Sequence, residues 1–195
     1  MIDRFRDEND WLSNFAPVKI TLNGVTYASV EHAYMSAKSD SKEWKKLCAD
    51  PSRTAGEVKR LSKLLTLVDN WDKRKVAVMR SCLMQKYHTE PYRTKLINTG
   101  SEYIKEGNTW GDVFWGVNIE TGEGENNLGK LIMYVRLMLT EKFNFLELRQ
   151  LASNFAITCA NGYDRSFDEW YMGLSDGYWR EVAHAGFKRE LNGEV

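Results

Sequence analysis

The sequence predicts an α+β fold, a predominantly helical single domain with one small antiparallel sheet. Three observations lead there. A strong hairpin signal stands near the N-terminus, and after it come several stretches with apolar residues at helical spacing, most of them opened by a capping residue. At 195 residues the chain is long enough for one domain with a real core and an appendage, but not for two full domains.

The hairpin is read from Val18, Ile20 and Leu22, which alternate, then Asn23-Gly24, then Val25 and Tyr27, which alternate again. Ser29 precedes Val30, Ala33, Tyr34 and Ala37 at helical spacing, so a helix is expected with Ser29 as its N-cap and with Glu31 and His32 in its first turn. Thr54-Ala-Gly-Glu57 fits a capping box, and Val58, Leu61, Leu64, Leu65 and Val68 continue the helical stripe. The next helix is expected from Asn70, with Trp71 in its first turn and Val76, Met79, Leu83, Met84 and Tyr87 buried. A short helix over Pro91 to Asn98 should stop at Gly100.

Tyr103 to Lys105 reads as a brief strand leading into a loop from Glu106 to Asn127. Compact domains rarely keep more than about 12 to 15 irregular residues without a functional reason, so the loop is a candidate pocket wall. Asn126 or Asn127 is expected to cap a helix whose stripe is Leu128, Leu131, Ile132, Val135, Met138 and Leu139. Gly129 in its first turn predicts close approach of another backbone or of a ligand. Residues 1–145 are read as the domain and residues 146–195 as a C-terminal extension packed on it. The extension holds Leu146, Leu148, Leu151 and Phe155 at helical spacing, then the aromatic residues Trp170, Tyr171, Tyr178 and Trp179.

The 27 basic and 27 acidic residues cancel, so net charge gives no argument for bulk attraction to nucleic acid or membrane, and any phosphate recognition must be local. Seven Trp suggest either a Trp-rich core or stacking surfaces. Cys48, Cys82 and Cys159 are far apart, without a C-x-x-C pair or a secretory leader, which is the pattern of a reduced, cytoplasmic protein. No apolar run approaches the roughly 18 residues that a bilayer span needs. The scattered His32, His88 and His184 give no zinc-ligand pattern, and no metal site is expected.

Acid, aromatic plate and bare backbone stand side by side in Glu106-Gly-Asn-Thr-Trp-Gly-Asp112-Val-Phe-Trp115-Gly and Gly124-Glu-Asn-Asn-Leu-Gly129, a mixture suited to a charged, flat ligand. Each residue also has a plainer reading. Glu31 could offset a helix dipole, His32 could be a satisfied structural histidine, Asp112 could be a turn residue after Gly111, and Trp71, Trp110 and Trp115 could all be core.

The fragments Leu12-Ser-Asn-Phe15, Gly24-x-x-Tyr27-x-x-Val30-Glu-His32, the Trp71 region, Glu106, Asp112-x-x-Trp115-Gly116 and Gly124-x-Asn126 to Met133-x-x-Arg136 together resemble the NADAR, or YbiA-like, family over roughly residues 3 to 140. The resemblance implies a mostly helical α+β fold with a small sheet. It implies an N-glycosidase that hydrolyses a bond between C1 of a phosphorylated ribose and an amine nitrogen, with no metal or organic cofactor. The implied partner is a small-molecule ADP-ribosyl or phosphoribosyl substrate, free or carried on a nucleic-acid base, with ADP-ribose on guanine favoured over riboflavin-pathway intermediates. No membrane is involved.

That chemistry develops positive charge on the sugar, which a carboxylate stabilises while a second acts as base or acid. By family correspondence Glu31 and Asp112 stand foremost as catalytic residues and Glu106 next, with the acid and base roles left open. Substrate contacts are expected from Trp71, His32, Trp110, Trp115 and Gly129. Phosphate contacts are expected from Lys38, Lys59, Arg60 or Arg136, together with backbone N–H groups of the helix beginning near Asn127. Met35, where members often have a polar residue, bears on substrate choice. The rival reading is a non-catalytic module that binds ADP-ribose or an NAD derivative through the same pocket.

Overall fold

A computed structural model describes residues 1–140 of the chain, so the extension expected over 146–195 lies outside the described residues. Two compact units are present, one of Phe5–Arg93 and one of Met1–Arg4 with the chain from Thr94 onward.

The unit Phe5–Arg93 opens with a 3-10 helix, Asp7–Leu12, that the sequence reading did not contain. Strands β1 (Pro17–Leu22) and β2 (Val25–Ser29) form the antiparallel hairpin, with Ile20 opposite Tyr27 and Leu22 opposite Val25. Its turn residues Asn23 and Gly24 have φ of 50° and 78°, the left-handed pair that a two-residue turn needs to match strand twist. Val18, Ile20 and Tyr27 point inward and are buried.

Helix α1 (Val30–Ser36) starts where Ser29 caps it by accepting a hydrogen bond from the His32 backbone. All seven of its residues are buried, because β1, β2 and the three following helices pack around it. Those helices are α2 (Lys42–Ala49), α3 (Ala55–Leu61) and α4 (Trp71–Tyr87). The consequence for function is direct: acidic Glu31 is carried into the interior by a helix with no solvent face.

α2 is an addition to the sequence reading. Ser41 caps it by accepting from the Trp44 backbone, and Trp44 and Cys48 face inward at i, i+4. The capping box at Thr54 and Glu57 is present as expected, but α3 is shorter than the apolar stripe implied. After Leu61 the chain tightens into a 3-10 turn, Ser62–Leu64, where the Ser62 hydroxyl donates to the Lys59 carbonyl at 2.8 Å, and Leu64 ends 84% exposed. The stripe beyond Leu61 was therefore misleading: Leu64 and Leu67 are surface residues, and Val68 instead donates its N–H to the Lys38 carbonyl.

α4 begins after Asn70, whose left-handed φ of 58° turns the chain into the helix. Val76, Met79, Leu83 and Tyr87 are buried as predicted, Met84 is half-buried, and Cys82 and Lys86 are buried against expectation. The short helix α5 (Tyr92–Asn98) follows, and Gly100 with φ of 53° ends it.

In the other unit, Ile2 pairs with Ile104 in a parallel bridge, so the strand expected at Tyr103–Lys105 is reduced to that contact. The Glu106–Asn127 segment is not irregular throughout: β3 (Gly107–Asn108) pairs in parallel with β4 (Val117–Asn118). Helix α6 (Asn127–Leu139) buries Leu128, Leu131, Ile132, Val135 and Leu139, while Met138 reaches the surface. Among the described residues no helix is long and apolar enough to cross a membrane.

Candidate active site

With Lys86, Glu31 is one of two buried charged side chains of the unit Phe5–Arg93 with a displaced pKa. Its N–H donates to the Asn14 carbonyl at 2.9 Å, and its side chain is 4% exposed. Oε1 has no hydrogen-bond partner among the described residues, and the nearest cation is the Lys59 ammonium at 3.6 Å, just beyond hydrogen-bond length. Burial raises the carboxyl's proton affinity above the ordinary glutamate value; the charges of Lys59 and Lys38 oppose this without cancelling it. A buried acid whose Oε1 has only a half-exposed lysine as an ion-pair partner, and no hydrogen bond at ordinary length, is costly in a purely structural role.

The cations around it come from two elements. Lys59, on α3, is exposed, and its ammonium also lies 5.6 Å from the centroid of the Phe15 ring. Lys38, just beyond α1, is half-buried and sits 5.7 Å over the Tyr34 ring; its ammonium is held below its ordinary pKa by burial, with Glu31 acting the other way. Tyr34 in turn packs on Trp71, with centroids 5.2 Å apart. The unit thus brings together Glu31, Lys38, Lys59, Tyr34, Trp71 and Phe15.

Trp71 differs from the expected ligand-facing plate. It is 7% exposed and packs against Tyr34 with the ring planes tilted by 53°, so little of its ring is left for a ligand. His32 follows its plainer reading, with both ring nitrogens used inside the protein: Nδ1 with the Ser29 hydroxyl at 2.8 Å and Nε2 with the Arg53 carbonyl at 3.0 Å. A carbonyl requires Nε2 to carry the proton, which leaves Nδ1 to accept from Ser29. Arg60 is exposed on α3, where its charge acts on Glu57 rather than Glu31.

The remaining predicted residues lie in the other unit. Asp112 Oδ1 accepts the Trp115 N–H at 2.9 Å, and the Asp112 backbone is clamped by buried Asn108, which accepts its N–H at 3.1 Å and donates to its carbonyl at 2.8 Å. Half-buried Asp112 therefore organises the turn before Trp115. Sequence reasoning passed over Asn108; an Asn after Gly107 in a long loop was the available signal. Glu106 is fixed through its backbone, donating to Asn126 Oδ1 and accepting from the Val117 N–H. Trp110 is 56% exposed, and half-buried Trp115 packs edge-on against Phe114 at 4.9 Å.

Two sets of groups expected at phosphate have partners within the protein. The N–H groups of Asn127 and Leu128 donate to the Phe114 and Trp115 carbonyls, so the start of α6 is closed by its own loop. Arg136 is buried and donates to Thr99 Oγ1 and the Glu102 carbonyl, with burial lowering its pKa to about 10. Asn126 stands at the N-cap position without capping: its amide bonds Glu106 N–H, the Ile104 carbonyl and the Tyr103 hydroxyl. A Cβ on Gly129 would strike the Ile104 carbonyl and the Asn126 amide, so backbone packing accounts for that glycine. Asn127 donates to Glu125 and keeps a buried Oδ1 with no partner among the described residues. Among the described residues no group of three or more His, Cys, Asp or Glu side chains could hold a metal ion.

The NADAR domain family model matches residues 3–140. The chain belongs to the NADAR domain family. A riboflavin biosynthesis protein of Vibrio vulnificus is 35% identical over 139 residues, covering 69% of this chain but only 37% of the relative. An N-glycosidase of Nostoc punctiforme is 33% identical over 129 residues, 64% of this chain and 81% of the relative. The N-glycosidase YbiA of Escherichia coli is 31% identical over 138 residues, 68% of this chain and 83% of the relative. An NMR structure of E. coli YbiA superposes with a TM-score of 0.62 at 27% identity, covering 72% of this chain and 87% of that one. The NADAR fold, helical with a small antiparallel sheet, is thereby shared.

Proposed function

We propose that this NADAR domain hydrolyses the N-glycosidic bond between a phosphorylated ribose or ADP-ribose and an amine or base nitrogen, with Glu31 at the reacting centre. The reaction class, hydrolysis of N-glycosyl compounds, rests on the family, since two relatives matched over more than four-fifths of their length are named N-glycosidases. The observation that carries the role of Glu31 is its buried Oε1, which is ion-paired with the Lys59 ammonium at 3.6 Å and has no hydrogen-bond partner among the described residues.

In the reaction the water oxygen bonds to C1 of the ribose as the C1–N bond breaks. One water proton passes to one carboxylate, and the leaving nitrogen takes its proton from the carboxyl group of the other, so one water is consumed and the two side chains exchange protonation states. A carboxylate at the sugar stabilises the oxocarbenium-like charge and is a good proton acceptor when its pKa is lifted toward the working pH. The direction of the Glu31 shift fits that task. Lys59 and Lys38 supply a local cationic site for phosphate in a chain of zero net charge. Asp112 and Glu106 remain our candidates for the second carboxylate, each to be tested by isosteric substitution.

For the leaving group we favour a guanine-type base over a phosphoribosylamino-pyrimidine, because a base needs only a phosphate site and an aromatic face. Incubation with ADP-ribosylated guanosine and, side by side, with a phosphoribosylamino-pyrimidine tests this by detection of free ADP-ribose or ribose 5-phosphate. The guanosine compound is expected to show the higher kcat/KM. A tenfold advantage for the pyrimidine compound, about 1.4 kcal/mol in transition-state stabilisation, would assign the metabolic substrate instead. Tight binding with no hydrolysis of either would establish the binding-module reading, which the buried carboxylate disfavours, since it adds repulsion toward an anionic ligand.

A further inference from the structure

We infer that Phe15 is the stacking plate for the flat nitrogen heterocycle released in the reaction, and so a specificity-determining residue; this rests on the N-glycosidase reading. Phe15 is 44% exposed although it is a large apolar ring in a well-packed unit. A single exposed Phe is ordinary, and its position is what sets it apart. The Lys59 ammonium lies over one face of the ring, 5.6 Å from its centroid, and 3.6 Å from Glu31 Oε1, so one ammonium stands between a part-exposed aromatic ring and the buried carboxylate. A base leaving C1 of a ribose held near Glu31 departs over a distance of that order.

The backbone that carries the ring is held in place. Its own N–H donates to Ser13 Oγ at 3.2 Å, and the carbonyl of the preceding Asn14 accepts the Glu31 N–H at 2.9 Å. The buried Lys86 ammonium donates to the Leu12 and Ser13 carbonyls at 3.2 and 2.8 Å. Segment Leu12–Phe15 is thus anchored from α4 at one end and tied to the backbone of Glu31 at the other. A ring on an anchored backbone leaves less conformational entropy to lose when a base stacks on it. Trp71, 7% exposed against 44% for Phe15, is the less accessible ring.

The test is calorimetric titration of the full chain with guanosine and, separately, with ribose 5-phosphate, for the parent, Phe15→Ala, Phe15→Leu and Phe15→Tyr. Loss of the ring in Phe15→Ala should weaken guanosine binding at least about fivefold, the low end of base–aromatic stacking, and leave ribose 5-phosphate within twofold. Phe15→Leu, which keeps apolar bulk without a π face, should follow Phe15→Ala for guanosine, while Phe15→Tyr should match the parent. Equal weakening of both ligands, unchanged guanosine binding in Phe15→Ala, or a parent that does not bind guanosine would overturn the inference. Hydrolysis by the parent separates this from the broader reading. Release of ADP-ribose with guanosine binding indifferent to Phe15 removes only the plate, whereas Phe15-dependent binding without any release removes the glycosidase.

Discussion

Lys86 makes stability depend on pH in a way that can be calculated. Its ammonium is fully buried, donates to the Leu12 and Ser13 carbonyls, and lies 5.2 and 5.1 Å from the Tyr87 and Tyr92 ring centroids. Desolvation pushes its pKa from 10.5 down to about 7. The folded-state value is therefore below the unfolded one, and between them the unfolded chain binds more protons. Stability rises with pH across that window and is lost as pH falls through about 7. Where the folded amine is neutral the slope is roughly one to one and a half kcal/mol per pH unit, so from pH 7 to 8.5, starting half-protonated, the gain is on the order of 1–2 kcal/mol.

Buried Cys48 and Cys82, pushed up to about 12, act in the opposite sense above pH 9, which sets the upper limit of the useful range. Lys86→Met keeps the length of the side chain and removes the titration. Urea unfolding of the two proteins at pH 6, 7 and 8.5 is the assay, and the parent should gain on the variant by about 1–2 kcal/mol between pH 7 and 8.5. Parallel curves, agreeing within roughly 0.4 kcal/mol, would show that Lys86 does not titrate in the folded state as its burial requires.

Gly129→Ala should destabilise by about 1–3 kcal/mol through overpacking against the Ile104 carbonyl, read as a lower Tm with activity per folded molecule retained. Trp71→Ala should cost about 3–5 kcal/mol in urea unfolding and Trp71→Phe distinctly less, because the ring is a buried partner of Tyr34; unchanged stability in Trp71→Ala would contradict its burial. Asp112→Asn keeps the acceptor for the Trp115 N–H, so the fold should persist by circular dichroism while turnover falls about 10²-fold if Asp112 is the second carboxylate. A rate within a few-fold of the parent would confine Asp112 to its turn.

Local rules decided much of the fold. Asn23-Gly24, the Ser29 cap, the Thr54/Glu57 box and Gly100 each have a mechanism that acts within a few residues, and each is where the sequence placed it. What the sequence hid is tertiary. Lys86 reads as one more solvated cation until Leu12 and Ser13 are seen to cover it, and Leu64 reads as core until the turn at Ser62 rotates it outward. Asn126 has the chemistry of a cap, but the Tyr103, Ile104 and Glu106 groups claim its amide. For the site, the Glu31 position was legible through the Ser29 cap and the family motif. That its helix is buried all round, and that Phe15 stands open beside Lys59, depended on packing that spacing does not encode.

The central claim is that the buried Glu31 carboxylate performs the hydrolysis. Its most direct test is the turnover of ADP-ribosylated guanosine by the parent and by Glu31→Gln, with ADP-ribose affinity measured on the same samples. Glutamine keeps the shape and removes both the charge and the proton acceptor. The account predicts release of ADP-ribose by the parent, at least about a 10²-fold lower kcat in the variant, and ADP-ribose binding that is retained or tightened once the anionic side chain is gone. A variant that turns over within a few-fold of the parent would contradict it.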